Sequence, residues 1–354
     1  ELVTYRILGG IAFGIASMVA PLYISEMSPP TQRGKLVSVY QLAITLGILI
    51  AYFSNYWTSN WHRQSNSFSL STMQFLYQDE HWRGMFANEM VPIGLYLLCL
   101  LFIPKSPRWL LVKNQGEKAV KIATAYNIQV DKIDNNISKE KISFTKLIAG
   151  VYKRPMIIAI FLMVFSQICG INAIIYYGPS IISKAGFTLN DALGGQVTIG
   201  IVNTLFTFIA IYNIDRWGRK PLLNFGASGV ILSLLAVSIF FYLGNDYGNY
   251  VIIGIIVYIA CYAFSLGPVQ FVIASEIFPT QIRGRALTIS TFFLWSTNAL
   301  VGQVFPTMLN DLGPSGTFLI FAIICLPALW FIGSFIPETK GKSLEEIQQF
   351  WKKV

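Results

Sequence analysis

Hydrophobic residues gather along this chain into long runs separated by short polar connections. A helix that crosses a bilayer needs about 20 mostly apolar residues. Nine stretches reach that length: 4–25, 36–57, 85–104, 155–178, 193–213, 222–243, 250–274, 287–308 and 316–337. In lipid a lone segment can satisfy its own backbone only as a helix, so the pattern predicts an all-α polytopic membrane protein with nine transmembrane helices. Glycines recur inside the runs, among them Gly9, Gly10, Gly14, Gly47, Gly200 and Gly254, and favour close helix packing. The one long interruption, 105–154, is lysine-rich and carries Ala119, Ile122, Ala123 and Tyr126 at helical spacing. It reads as two or three short amphipathic helices or, in part, as a solvated charged linker.

One run departs from the apolar rule. Ser166–Pro179 reads SQICGINAIIYYGP and places Gln167, Asn172, Tyr176 and Tyr177 at membrane depth. Uncharged polar groups are costly there unless they face protein, water or a ligand. Their simplest use is helix–helix glue, worth about 0.6 and at most 1–2 kcal/mol each. Clustered around Gly170, they also suit a neutral, hydroxyl-rich solute. On a straight helix positions 167 and 172 lie about 140° apart, so a shared cavity requires a break near Gly170, ahead of Pro179.

Composition narrows the class. Charged residues make up 12% of the 354 and hydrophobic ones 54%, against about a quarter charged in soluble domains. The net charge of +9 is not a nucleic-acid signature once it is divided by connection. Alternate connections and the C-terminal tail hold 22 of the 26 Lys and Arg, which assigns that side, with the C-terminus, to the cytoplasm. Cys99, Cys169, Cys261 and Cys325 lie in apolar runs without metal-ligand spacing, and His62 and His81 stand alone, so no metal or cofactor is expected. No paired carboxylate or activated nucleophile sits at membrane depth, which disfavours an enzyme. The first residues, Glu1-Leu2-Val3-Thr4-Tyr5-Arg6, have no signal-peptide character and enter the first helix at once.

The chain also repeats itself. Ser25-Glu26 with Pro29, Arg33, Gly34 and Lys35 returns as Ser275-Glu276 with Pro279, Arg283, Gly284 and Arg285, at identical offsets. Pro104-Lys105-Ser106-Pro107 is echoed by Pro337-Glu338-Thr339-Lys340. Parallel repeats of a helical bundle characterise the two halves of major facilitator transporters. In the second half the repeated turn joins helices four and five of six, but in the first only one helix precedes it. The expectation is a twelve-helix fold lacking helices 1–3: residues 1–104 a remnant first bundle, 105–154 a linker, 155–338 a six-helix bundle and 339–354 a cytoplasmic tail.

Five motifs then carry a family resemblance. They are Leu8-Gly9-Gly10-Ile11-Ala12-Phe13-Gly14 with Tyr23, Glu26 and Arg33; Asp215-Arg216-Trp217-Gly218-Arg219-Lys220; Gln167 with Gly170-Ile171-Asn172; Tyr176-Tyr177; and Pro337-Glu338-Thr339-Lys340-Gly341. In this order and spacing the chain resembles the sugar porters of the major facilitator superfamily, near bacterial xylose–proton symporters and animal glucose facilitators. The resemblance implies a monosaccharide site at the bilayer midplane. Gln41, Gln167 and Asn172 match residues that hydrogen-bond sugar hydroxyls, and Tyr176, Asn203 and Trp295 match cavity-lining positions. Gly267-Pro268 matches a helix break. Three positions depart from the pattern: Ser166 replaces a glutamine, Phe271 a tryptophan and Leu294 an amide, which should alter affinity or sugar preference.

Arg6 is a charge inside a helix, costing roughly 2.5–3.5 kcal/mol on insertion scales. In proton-coupled relatives the matching arginine faces an aspartate; here Arg6 could instead snorkel to the interface. Glu26, Arg33, Asp215, Arg219, Lys220, Glu276 and Arg283 form a candidate cytoplasmic latch, against a bland reading as topology and solubility charges. The combined expectation is monosaccharide transport by alternating access, coupled to protons, by a monomer in the cell membrane. The competing readings are a truncated, transport-inactive fragment and a sugar sensor on the same fold.

Overall fold

Residues too apolar to leave lipid and too long to fold back in it become helices. The computed structural model describes residues 2–28, 33–63, 75–126, 150–278 and 280–340, and every regular element among them is helical. The α-helices are α1 (Leu2–Met27), α2 (Arg33–Arg63), α3 (His81–Ala87), α4 (Met90–Leu100), α5 (Pro107–Val112), α6 (Gly116–Ala125) and α7 (Lys153–Ile168). They continue as α8 (Ile171–Lys184), α9 (Leu189–Trp217), α10 (Arg219–Leu243), α11 (Gly248–Phe264), α12 (Leu266–Glu276), α13 (Thr280–Asp311) and α14 (Gly313–Phe335). Most of the 105–154 linker and the 339–354 tail, at 127–149 and 341–354, lie outside the described residues.

The count of nine spans in a twelve-helix fold short of three is overturned. Among the described residues seven segments are long and apolar enough to cross a membrane: Leu2–Met27, Lys35–Asn60, Lys153–Lys184, Asp191–Trp217, Arg219–Leu243, Gly248–Glu276 and Gly313–Phe335. Two predicted spans drop out. The 85–104 stretch divides into α3 and the 11-residue α4. At the joint, Asn88 donates to Ser54 Oγ at 2.8 Å and accepts from Tyr77 Oη at 2.7 Å, pinning the turn against α2. The 287–308 stretch lies in the 32-residue α13, where Thr288, Ser290, Thr291, Ser296, Thr297, Asn298 and Gln303 dilute its apolar character.

Lipid tails are as apolar as leucine, so close packing rather than exclusion of water holds such helices together. The buried side chains gather in α7–α14, around Tyr258, Phe278, Phe305 and Phe318. There α10 packs between α11 and α14, α7 lies against α13, and α9 runs along α2. Small residues permit the tightest approach: a Cβ on Gly226 would stand 1.5 Å from Ser265 Oγ. By contrast α4 has no buried residue, and α1 buries only Ser17, Pro21 and Ser25.

The sequence echo is also structural. Ser25 and Ser275 each donate to the carbonyl three residues back, Leu22 and Val272, at 2.7 and 2.8 Å. The carboxylate that follows each serine takes a hydroxyl from the second motif: Glu26 from Ser106, and Glu276 from Thr339 at 2.6 Å. Tyr23 adds a bond to the Pro104 carbonyl at 2.8 Å.

Candidate functional site

The discontinuity expected near Gly170 is present. α7 ends at Ile168 and α8 begins at Ile171, with Gly170 between them at φ +89°. This left-handed conformation costs an L side chain roughly 1–2 kcal/mol, and glycine adopts it freely. Tyr258 Oη donates to the carbonyl of Cys169 at 2.9 Å, inside the buried core. A break of this kind removes the angular separation of a straight helix. Asn172 Nδ2 donates to Gln167 Oε1 at 2.6 Å, Gln167 Nε2 to Ser166 Oγ at 3.1 Å, and Ser166 Oγ to the Met163 carbonyl at 2.8 Å. Each amide makes more bonds than this chain uses, so Gln167 and Asn172 retain donors and acceptors for a solute.

The remaining predicted residues lie farther along α8 and on other helices. A second break, at Ser265 (φ −132°, ψ −82°), separates α11 from α12, two residues before the Gly-Pro step that predicted it. Gln41 Nε2, from α2, lies 3.5 Å from where a Cβ on Gly267 would stand. Phe271 is buried and meets Tyr40 edge-on, with centroids 5.6 Å apart. Leu294 is buried on α13, where Trp295 Nε1 donates to Ser17 Oγ at 3.1 Å and its ring meets Phe13 at 5.1 Å. Asn298 Nδ2 donates to Tyr176 Oη at 3.3 Å, and Asn203 is buried on α9. An adjoining cleft of about 330 Å³ includes Phe13, Ala20, Ile24, Ala43 and Tyr96 in its lining. Its apolar walls do not suit a hydroxyl-rich solute.

The charged positions sort differently. Arg6 is exposed, and its guanidinium lies 5.9 Å from the Phe86 ring centre. Arg219, nearly buried, pairs with Glu276 at 2.8 Å and with the exposed Asp215 at 3.0 Å. Arg283 donates to the Phe278 carbonyl at 3.2 Å. The Arg33 side chain lies outside the described residues. Lys220 reaches the Gly333 carbonyl at 2.6 Å.

The structure adds Glu338 to this cluster. Arg219 and Lys220 open α10, where backbone N–H groups have no helical acceptor. Glu338 Oε1 and Oε2 accept one each, both at 3.0 Å. Burial pushes the Glu338 carboxyl upward, but the N–H groups of Lys340, Arg219 and Lys220 and the Arg219 charge outweigh it and hold it below the ordinary range. A carboxylate so held adds stability above the ordinary glutamate pKa of about 4.3 and loses it as pH falls through the lower folded value. Glu338→Gln should therefore lower the melting temperature at pH 7, and the gap from the unaltered protein should shrink as the pH falls from the ordinary glutamate range through the lower folded value. A gap of the same size across that range would refute the assignment.

Other contributors escape sequence reasoning. Tyr258, Tyr52 and Gln196 donate to backbone carbonyls at the two irregular points of α7–α8. Gln270, 2% exposed beside Phe271, bonds the Gly267 carbonyl, while its Oε1 has no partner among the described residues. The available signal was Pro179, whose missing N–H demands a donor from elsewhere.

Similarities to known proteins follow the same lines. The family model "Sugar (and other) transporter" matches residues 1–351. The arabinose-proton symporter of Bacillus subtilis (strain 168) is 36% identical over 359 residues, spanning 99% of this chain and 75% of the symporter. The D-xylose-proton symporter of Escherichia coli (strain K12) is 36% identical over 365 residues, spanning 99% and 72%. The solved major facilitator superfamily proton:xylose symporter XylE, bound to 6-bromo-6-deoxy-D-glucose, superposes with a TM-score of 0.83 at 35% identity. That match covers 99% of this chain and 74% of the other.

Proposed function

This chain belongs to the sugar transporter family, and from that premise we propose that it carries a monosaccharide of the xylose or glucose type across the cell membrane. The observation that carries the reading is the break at Gly170, which turns the Gln167 and Asn172 amides to one another at 2.6 Å. Discontinuous helices at membrane depth are where transporters build substrate sites. Hydroxyl recognition requires a donor and an acceptor on each partner, and two amides supply both. Gln41, Tyr176, Asn203 and Trp295 are the further contacts of this reading, with Gly267 and Phe271 shaping the wall. Alternating access would tilt the helices around this point, while the Arg219–Glu276–Glu338 cluster holds one end of α10, α12 and the segment after α14 together. Proton coupling follows the symporters among its relatives, and the lysine-rich side is the cytoplasmic one.

Counterflow of labelled xylose and of labelled glucose into liposomes containing the purified chain tests the proposal. Saturable uptake of one of them, competed by the unlabelled sugar, is expected. An inward pH gradient should raise its accumulation if protons are carried with it. Uptake no faster than into empty liposomes for both sugars would reject transport by this chain.

A further inference from the structure

Pro179 stands inside α8 and has no N–H for the carbonyl four residues back, that of Ile175. That carbonyl is nevertheless doubly bonded. Tyr52 Oη donates to it at 2.8 Å and Gln196 Nε2 at 3.2 Å. Tyr52 comes from α2 and Gln196 from α9, and both side chains are buried. Gln196 reaches the carbonyl because Gly178 leaves room: a Cβ there would stand 3.1 Å from Nε2. The backbone yields at the same place. Tyr177 has non-helical angles (φ −110°, ψ 15°), and its hydroxyl is tied to the Gly302 carbonyl of α13 at 3.0 Å.

We propose that Tyr52 is a positioning residue: its hydroxyl substitutes for the N–H that Pro179 lacks and sets, from across the molecule, the angle of the second half of α8. Gln196 supplies the second donor, and the shorter bond from Tyr52 adds the net worth of one hydrogen bond, so the bend is favoured where Tyr52 can reach the carbonyl. The functional meaning rests on the transport reading above. The second half of α8 begins five residues past Asn172, and its tilt governs how far it leans over the amide pair. Any shift of α2 relative to α8 then makes or breaks one specific hydrogen bond, so the movement of one helix is reported to the other. Tyr52 touches no substrate in this scheme.

The test compares Tyr52→Phe, Pro179→Ala and the double variant of the full chain in lipid nanodiscs. In a Cys99→Ser background, spin labels at Ile50→Cys and Ser183→Cys report the distance between α2 and the end of α8 without sugar. Tyr52→Phe should raise the displaced population about three- to tenfold, the worth of one hydrogen bond. Pro179→Ala gives Ile175 a helical donor again, so adding Tyr52→Phe to it should change the distances less than twofold. In counterflow, Tyr52→Phe should reduce the maximal rate more than the affinity. Unchanged distances in Tyr52→Phe, or an equal shift with and without Pro179, would overturn the proposal. The distances are read without substrate, so failure of the unaltered chain to exchange sugar would strike the transport reading alone.

Discussion

Glu276→Ala is expected to destabilise the protein by about 3–5 kcal/mol, the usual result of removing one partner from a buried ion pair. The Arg219 side chain is 6% exposed and that of Glu276 19%, so little solvent screens the pair. Asp215, already 3.0 Å from Arg219 but 52% exposed, is screened by solvent and offsets only part of the loss. The loss spreads further, since Thr339 donates to the same carboxylate at 2.6 Å. Differential scanning fluorimetry in detergent should show a fall in Tm of several degrees, with Glu276→Asp intermediate. Sugar counterflow should fall in parallel if the cluster also sets the transport cycle. A melting temperature equal to that of the unaltered protein would show that the pair contributes no net stability.

The second large effect is on binding. Gln167→Leu keeps the bulk of the side chain but deletes the acceptor of the Asn172 bond and the donor to Ser166. A bound sugar would then leave a hydroxyl unpaired, and Asn172 would lose the partner that orients it. Costs of about 1–3 kcal/mol per unpaired group correspond to roughly a ten- to hundredfold weaker affinity. Titration calorimetry with the sugar that exchanges measures this directly. Affinity within twofold of the unaltered protein would remove Gln167 from the site. Ser166→Ala should cost less, because it releases Gln167 without removing its amide.

The parts of this molecule that could be read from the chain are those governed by local rules. Gly170 beside two amides at incompatible helical positions predicted a break, since no straight helix brings them together. The Ser-Glu and Pro-x-Ser/Thr echoes predicted equivalent turns, and both carboxylates do take the hydroxyl of their matching motif. Counting spans by apolar length was less reliable. It accepted 85–104, which Asn88 divides through contacts with α2, and 287–308, where hydroxyls and amides lower the apolar content. The second break falls at Ser265 rather than at the Gly-Pro step, because Gly226 on α10 makes room for that serine. Charge pattern does not single out Glu338, yet it joins the Arg219 cluster. Arg283 turns to a carbonyl of its own segment, and Glu338 closes the start of α10. Such choices depend on which helix end arrives beside which, and no spacing in one chain encodes that.

The four cysteines are all free thiols, and their surroundings differ sharply. Cys169 and Cys325 are fully buried, and Cys261 is half-buried against Gly229. Burial keeps a reagent from reaching a thiol. Cys99, on the uncovered α4, is the exposed one. A membrane-permeant maleimide should therefore mark this protein at a single native position, and Cys99→Ser alone should make it silent to the reagent. The wall of helices around Gly170 thus shields its own sulfur chemistry, leaving the surface available for a probe wherever a new cysteine is placed.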